Sequence, residues 1–148
     1  MGTPMMPKTK GLTSDIPYFD PGHYHSIVDA LQYLTLTCPN LTYCVNFFSQ
    51  FMHSPTIAHY KMVKRILCYL HGTVDIGMHF TSQSTLAIYA FSDADWAGCP
   101  QTRRFITGYC VFLGRNCISW IAKKQHTVSQ SSSKVEYHAM AHTATELT

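Results

Sequence analysis

From Trp96 to Val135 the chain has not one Asp or Glu, while Arg103, Arg104, Arg115, Lys123, Lys124 and Lys134 all fall in that stretch. Charge is scarce elsewhere too, at 13% of residues with a formal net charge of +3, which is too mild to mark a nucleic-acid binder by itself. The six cysteines form no C-x-x-C pair and sit mostly in apolar stretches. Free buried thiols in a reducing compartment are the favoured reading, and the even count leaves disulfides open. No apolar run approaches membrane-spanning length, so no membrane partner is expected. The opening MGTPMMPKTKGLTSDIPYFD lacks the apolar stretch of a secretory signal, and Met6 breaks the myristoylation pattern that Met1-Gly2 begins. His138 and His142 stand four apart, but Ala139 follows His138, so this is no H-E-x-x-H and no metal site is expected. The Ser129 to Ser133 cluster has no partnered His and Asp to make it nucleophilic and reads as helix-start chemistry.

What is present is a folded chain: 148 residues and 46% apolar, enough for one domain with a core or for two small pieces. Residues 1–22 hold four prolines and three glycines and read as an irregular lead-in. Residues 23–81 begin helically. Ile27, Leu31 and Leu34 recur at helical spacing, Cys38-Pro39-Asn40 interrupts, a second helix covers Thr42 to Met52, and a third opens at Ser54-Pro55. That third helix runs through Tyr60, Val63, Ile66, Leu67 and Leu70 and stops at His71-Gly72, with Ile66 and Leu67 expected in the core. Gly77 to Thr81 and Leu86 to Ser92 read as strands. Gly108 to Leu113 and Cys117 to Ile121 read as a hairpin across Gly114-Arg115-Asn116. A helix follows from Gln130, with Ser133 and Glu136 at capping-box spacing. Asn40-Leu41-Thr42 is a glycosylation triplet, meaningful only in a secreted chain.

Asp93 ends the expected strand and Glu136 lies one turn into the expected helix, positions from which two carboxylates can converge on a metal ion. Asp95 joins them if the strand continues. The plainer reading carries more weight on spacing alone: Asp93 and Asp95 as turn residues, Glu136 as the reciprocal member of its capping box. The basic segment likewise has two readings. Arg103, Arg104, Lys123 and Lys124 are candidates for contact with a phosphate backbone, with Tyr109 and Trp120 nearby to stack, or they form a solvated sheet face over core aromatics.

Two stretches resemble a known family. YHSIVDALQYLTLTCPNLTYCVNFFSQFMHSPTIAHYKMVKRILCYLHGT, residues 24–73, is similar to the region after the polymerase palm in copia-type retrotransposon Pol polyproteins. FSDADWAGCPQTRRFITGYCVFLGRNCISWIAKKQHTVSQSSSKVEYHAM, residues 91–140, resembles the start of their RNase H domain. The resemblance implies an α+β chain: an N-terminal helical remnant of the post-palm segment, residues 23–81, followed over residues 86–148 by a truncated RNase H-like sheet with one flanking helix. Asp93 then matches the first catalytic aspartate and Glu136 the catalytic glutamate. The family takes further aspartates from a later strand and helix that this chain does not reach, and no Y-x-D-D motif of a polymerase occurs. The expectation is therefore a catalytically inactive fragment with a vestigial site. No cofactor is expected, Mg²⁺ entering only with residual RNase H activity, and an RNA/DNA hybrid is at most a weak partner. The strand bearing Asp93 is expected to lack a neighbour on one side. Asp29, Cys38 and Asn40 stand where the family has Gly, Arg and an acidic residue, and Ser133-Lys134-Val135 replaces small and acidic residues, departures that point to relaxed selection.

Copia-like fragments of this kind also resemble oomycete RxLR-type effectors, which are secreted and act inside plant cells to suppress cell death and immunity. Arg65-Ile66-Leu67-Cys68 is one residue from R-x-L-R, and plant host proteins would then be the partners. The sequence does not fix the compartment: a retroelement fragment would be intracellular, an effector secreted and delivered into the host cell.

Overall fold

The computed structural model describes residues 3–5, 16–99 and 102–148. The chain divides into two compact units, Met1–Met78 and His79–Thr148.

The first unit is helical. Helix α1 (Pro21–Leu34) starts where the Asp20 carboxylate accepts the His23 N–H and Pro21 supplies a pre-set φ for the first turn. Helix α2 (Pro39–Ser49) also opens on proline, so Cys38-Pro39-Asn40 starts the helix three residues ahead of the expected Thr42. Helix α3 (Ile57–His71) begins two residues after Pro55, because the Thr56 hydroxyl caps the His59 N–H while the His59 ring accepts the Thr56 N–H. Pro55 instead offers its carbonyl to the Tyr18 N–H (2.8 Å), and Pro17 bridges Thr56, so the end of the expected lead-in is tied to the start of α3. Residues 6–15 of that lead-in lie outside the described residues.

The core of this unit collects one stripe from each helix. Tyr24, Val28 and Leu31 come from α1, Leu41, Cys44, Val45 and Phe48 from α2, and Val63 and Ile66 from α3. Leu67, expected inside, is a surface residue at 38% exposure, and Leu34, at the end of the α1 repeat, is exposed to 39%. Leu67 follows the fully buried Ile66 by about 100° of helical turn, which carries it off the packed stripe. Thr42 is buried in α2 beside the fully buried Leu41, so the Asn40 triplet is part of a packed helix. Asn40 itself is exposed and donates to the Tyr69 hydroxyl (2.8 Å). All six cysteines are free thiols: Cys44 and Cys99 are buried, Cys68 is exposed, and burial pushes the Cys44 thiol up to about 11.

The second unit is an antiparallel meander, β1 (Ile88–Asp95), β2 (Ile106–Leu113) and β3 (Asn116–Lys124), with helix α4 (Ser132–Glu146) on one face. With the helical unit before it, the chain is α+β, as expected. Gly114 turns the β2–β3 hairpin at φ +57, and a Cβ there would fall 2.5 Å from the Thr85 carbonyl oxygen. Gly77 to Thr81, expected as a strand, joins no ladder, and the Thr81 N–H and carbonyl are both satisfied by the Asn116 side chain. Helix α4 is capped by Ser131, whose side chain accepts the Lys134 N–H, so the expected pairing of Ser133 with Glu136 does not form.

Helix α4 buries Val135, Ala139 and Thr143, four residues apart, against β1 and β2. Phe105, beside the His138 ring, starts an alternation that sets Thr107, Tyr109 and Val111 on the same side. The opposite face carries Tyr89, Phe91, Cys110, Phe112 and Trp120, with Phe91 and Phe112 meeting edge to face at 5.9 Å. No helix of the described residues is long and apolar enough to cross a membrane.

Candidate functional site

Asp93 sits in β1 opposite Gly108, and Glu136 lies in the second turn of α4. Packing of α4 through Val135 and Ala139 places the neighbouring Glu136 along β1. Asp93 and Glu136 both line a groove of about 260 Å³ with Ser92, Ala94, Ala139 and Met140, Ser92 and Ala94 lying on the helix side of β1 and Asp93 in step with Phe91 on the other. Both carboxylates are exposed. Since Glu136 has no part in the cap, the plainer reading of that residue is removed.

Asp95 does not line that groove. It closes β1, its carbonyl accepts the Gly98 N–H (3.3 Å), and its carboxylate lies where a Cβ at Gly98 would come within 2.4 Å. The turn Trp96-Ala97-Gly98 thus folds back over Asp95, and Ala97 takes a left-handed φ of 53° to make it. Trp96 anchors the turn by donating from its indole N–H to the Ser129 carbonyl (2.9 Å), just ahead of α4. Sequence reasoning missed Trp96 and Gly98; the signal was the Asp-Trp-Ala-Gly order after a strand. Among the described residues no three His, Cys, Asp or Glu side chains come together. Two-metal phosphoryl chemistry needs several converging carboxylates, so these residues do not fit a Mg²⁺ pair.

The four basic candidates lie around one end of the sheet. Arg103, itself left-handed at φ 55°, places its guanidinium 5.5 Å from the Trp96 ring centre. The half-buried Arg104 accepts the Cys99 N–H at its carbonyl. Lys124 donates to the Cys99 sulfur (3.0 Å), whereas Lys123, adjacent in β3, lines a groove of about 170 Å³ beneath α4 with Tyr109, Gln125, His142 and Glu146. Adjacent strand residues point to opposite faces, so the two lysines do not share a surface. In the same region the Ser119 hydroxyl donates to Glu146 (2.9 Å), and the Tyr109 phenol is raised, first by burial and then by Glu146. In the first unit, Arg65 donates from Nε to the Thr3 carbonyl (3.1 Å), so Arg65-Ile66-Leu67-Cys68 is one helical turn with Ile66 buried and Leu67 outward.

No family model matches the chain, and no solved structure matches it. Curated relatives do. The chain is 51% identical over 148 residues to an uncharacterised mitochondrial protein of Arabidopsis thaliana, covering all of this chain and 62% of that one. It is 46% identical over 146 residues to the retrovirus-related Pol polyprotein from transposon RE1 of the same plant, covering 98% of this chain and 10% of the polyprotein. It is also 41% identical over 124 residues to secreted RxLR effector protein 161 of Plasmopara viticola, covering 83% of this chain and 87% of that protein. The chain belongs to the copia-type retrotransposon Pol family. Within that family it corresponds to about a tenth of the RE1 polyprotein's length, and the groove holding Asp93 and Glu136 lies in the part that corresponds.

Proposed function

We propose that the chain is a Pol-derived protein without polymerase or RNase H activity, in which Asp93 and Glu136 are the vestigial pair of an RNase H-like site. The observation that carries this reading is the placement of the acids. Asp93 and Glu136 both line an open groove whose lining does not include Asp95. Among the described residues no third His, Cys, Asp or Glu joins them, and two exposed carboxylates are too few to hold the metal pair that such hydrolysis uses. Arg103, Arg104, Lys123 and Lys124 retain weak, sequence-independent attraction for an RNA/DNA hybrid as an ancestral trait. The test is incubation of the purified chain with a labelled hybrid and Mg²⁺, beside Asp93→Asn and Glu136→Gln. No cleavage above buffer is expected from any of the three, and cleavage by the parent chain that both substitutions abolish would overturn the reading.

A second reading is favoured by the relative of Plasmopara viticola, which this chain covers almost end to end. Under it the chain is a secreted effector acting on plant host proteins to suppress cell death. The Arg65 tetrad gives it little support, because a buried Ile66 and a bonded Arg65 leave no extended motif to be read. Expression in leaf cells followed by a cell-death elicitor separates the two: suppression favours the effector, and unaltered death with soluble accumulation favours the vestigial Pol protein.

A further inference from the structure

Cys44 and Cys99 are both buried thiols, and they are held in opposite ways. Cys44, inside the helical unit, donates its S–H to the Leu41 carbonyl (3.0 Å), an arrangement that keeps it a thiol. Cys99, 5% exposed in the sheet unit, is instead an acceptor: the Lys124 ammonium donates to its sulfur at 3.0 Å. An ammonium beside sulfur favours the thiolate, the form that reacts with peroxide. Backbone bonds anchor both ends of this contact. Cys99 closes the turn after β1 on itself, its N–H donating to the Arg104 carbonyl (3.2 Å) and its carbonyl accepting the Arg103 N–H (2.8 Å). Lys124 pairs with Ile106 in the ladder, and the next residue, Gln125, donates from its N–H to the Phe105 carbonyl (3.0 Å). The contact is thus set by Cys99, residues 103–106 and the end of β3.

We propose that Cys99 and Lys124 form a covalent modification site: a peroxide oxidises the Cys99 sulfur, and the Lys124 amine captures the product as a reversible sulfur to nitrogen cross-link. The balance closes in two steps. The thiolate attacks one oxygen of hydrogen peroxide and the O–O bond breaks. Cys99 becomes a sulfenic acid, oxidised by two electrons, and the hydroxide released takes the Lys124 ammonium proton to leave as water. The free amine then attacks the sulfur. An S–N bond forms, the S–O bond breaks, and the oxygen leaves as a second water. Two features favour capture inside the molecule. The nitrogen already stands 3.0 Å from the sulfur, which makes the second step intramolecular. Burial of Cys99 also keeps a competing soluble thiol from approaching in line. The link ties the Trp96 turn to the end of β3 and removes one of the four basic side chains from service. The inference goes beyond the proposed loss of catalysis and does not rest on it.

The test treats the reduced full chain with a small excess of hydrogen peroxide, blocks the remaining thiols with iodoacetamide, and maps the products by mass spectrometry after digestion that does not cut at lysine. The expected product joins the Cys99 and Lys124 peptides, is lighter than their sum by two hydrogens, and reverts with dithiothreitol, while Cys44 stays a thiol. In Lys124→Arg, which keeps the charge without the nucleophilic amine, the link should be lost and dimedone should trap the Cys99 sulfenic acid instead. The parent chain in concentrated urea supplies a reading that needs no variant: the link should disappear there, because it depends on the fold. Four results would each overturn the proposal. They are Cys99 left unoxidised by peroxide that oxidises the exposed Cys68, Cys99 carried to a sulfinic acid or a small-thiol adduct with Lys124 free, a link to Lys123 in place of Lys124, or an equal yield in urea.

Discussion

At the scale of single residues, Thr42 is the most informative position in the helical unit. Its hydroxyl is buried in α2 and finds no hydrogen-bond partner among the described residues. A buried, unpartnered hydroxyl forfeits its hydration without recompense, at a cost of about 1–3 kcal/mol. Valine has nearly the same shape and a similar helical preference, so it removes the cost and little else. Thr42→Val is therefore expected to raise stability by about 1 kcal/mol, measured as a higher urea midpoint with an unchanged slope. A lower midpoint would mean that the hydroxyl has a partner. The same residue shows why a motif is not a site: the triplet Asn40-Leu41-Thr42 is present in the sequence, but two of its three side chains are interior.

At the scale of elements, α3 depends on a cap that acid can remove. The neutral His59 ring accepts the Thr56 N–H (3.1 Å) and stacks on Phe51 at 3.9 Å. Burial disfavours the charged ring and sets its pKa below the ordinary 6.5. The unfolded chain then binds the proton more readily, so the contribution of His59 to stability is complete above pH 6.5 and is lost as pH falls through and below that value. Protonation also turns the accepting nitrogen into a donor aimed at a donor. The urea midpoint should drop between pH 7.5 and 5.5, and His59→Gln, which can still accept the Thr56 N–H, should show a smaller drop; equal drops would remove His59 as the cause. This cap was not legible beforehand, because an imidazole at the third helical position is not the Glu or Gln the pattern leads one to expect. The helices themselves were legible but their starts were read two or three residues off, because Pro39 was taken as an interruption, Pro55 as the opening of α3 and Ser133 rather than Ser131 as the cap of α4. The error at Leu67 came from extending a stripe by one residue where the helix had already turned it outward.

At the scale of the whole molecule, the carboxylate pair and the basic segment differ in how far sequence could take them. Asp93 and Glu136 lie 43 residues apart (136 − 93); their strand-end and helix-start positions suggested the pair, the resemblance matched it to catalytic acids, and both line one groove. That Asp95 stays out of that groove depends on how the chain turns at Gly98, which no spacing rule reveals. The basic segment looked continuous because a chain is read in one dimension, yet Lys123 and Lys124 alternate across a strand and leave the sheet on opposite faces. That geometry limits what a net charge of +3 can do. Each phosphate contact contributes about −0.9 to the slope of log affinity against log salt, so four shared contacts would give about −3.6. A single hybrid can reach only one of the two lysines, and with Arg103 and Arg104 the slope should be no steeper than about −2.7. Fluorescence anisotropy with a labelled RNA/DNA hybrid across a salt series measures it. One of Lys123→Ala and Lys124→Ala should leave the slope unchanged while the other flattens it. A slope near −3.6, flattened by both substitutions, would mean that the duplex wraps the end of the sheet and touches both faces.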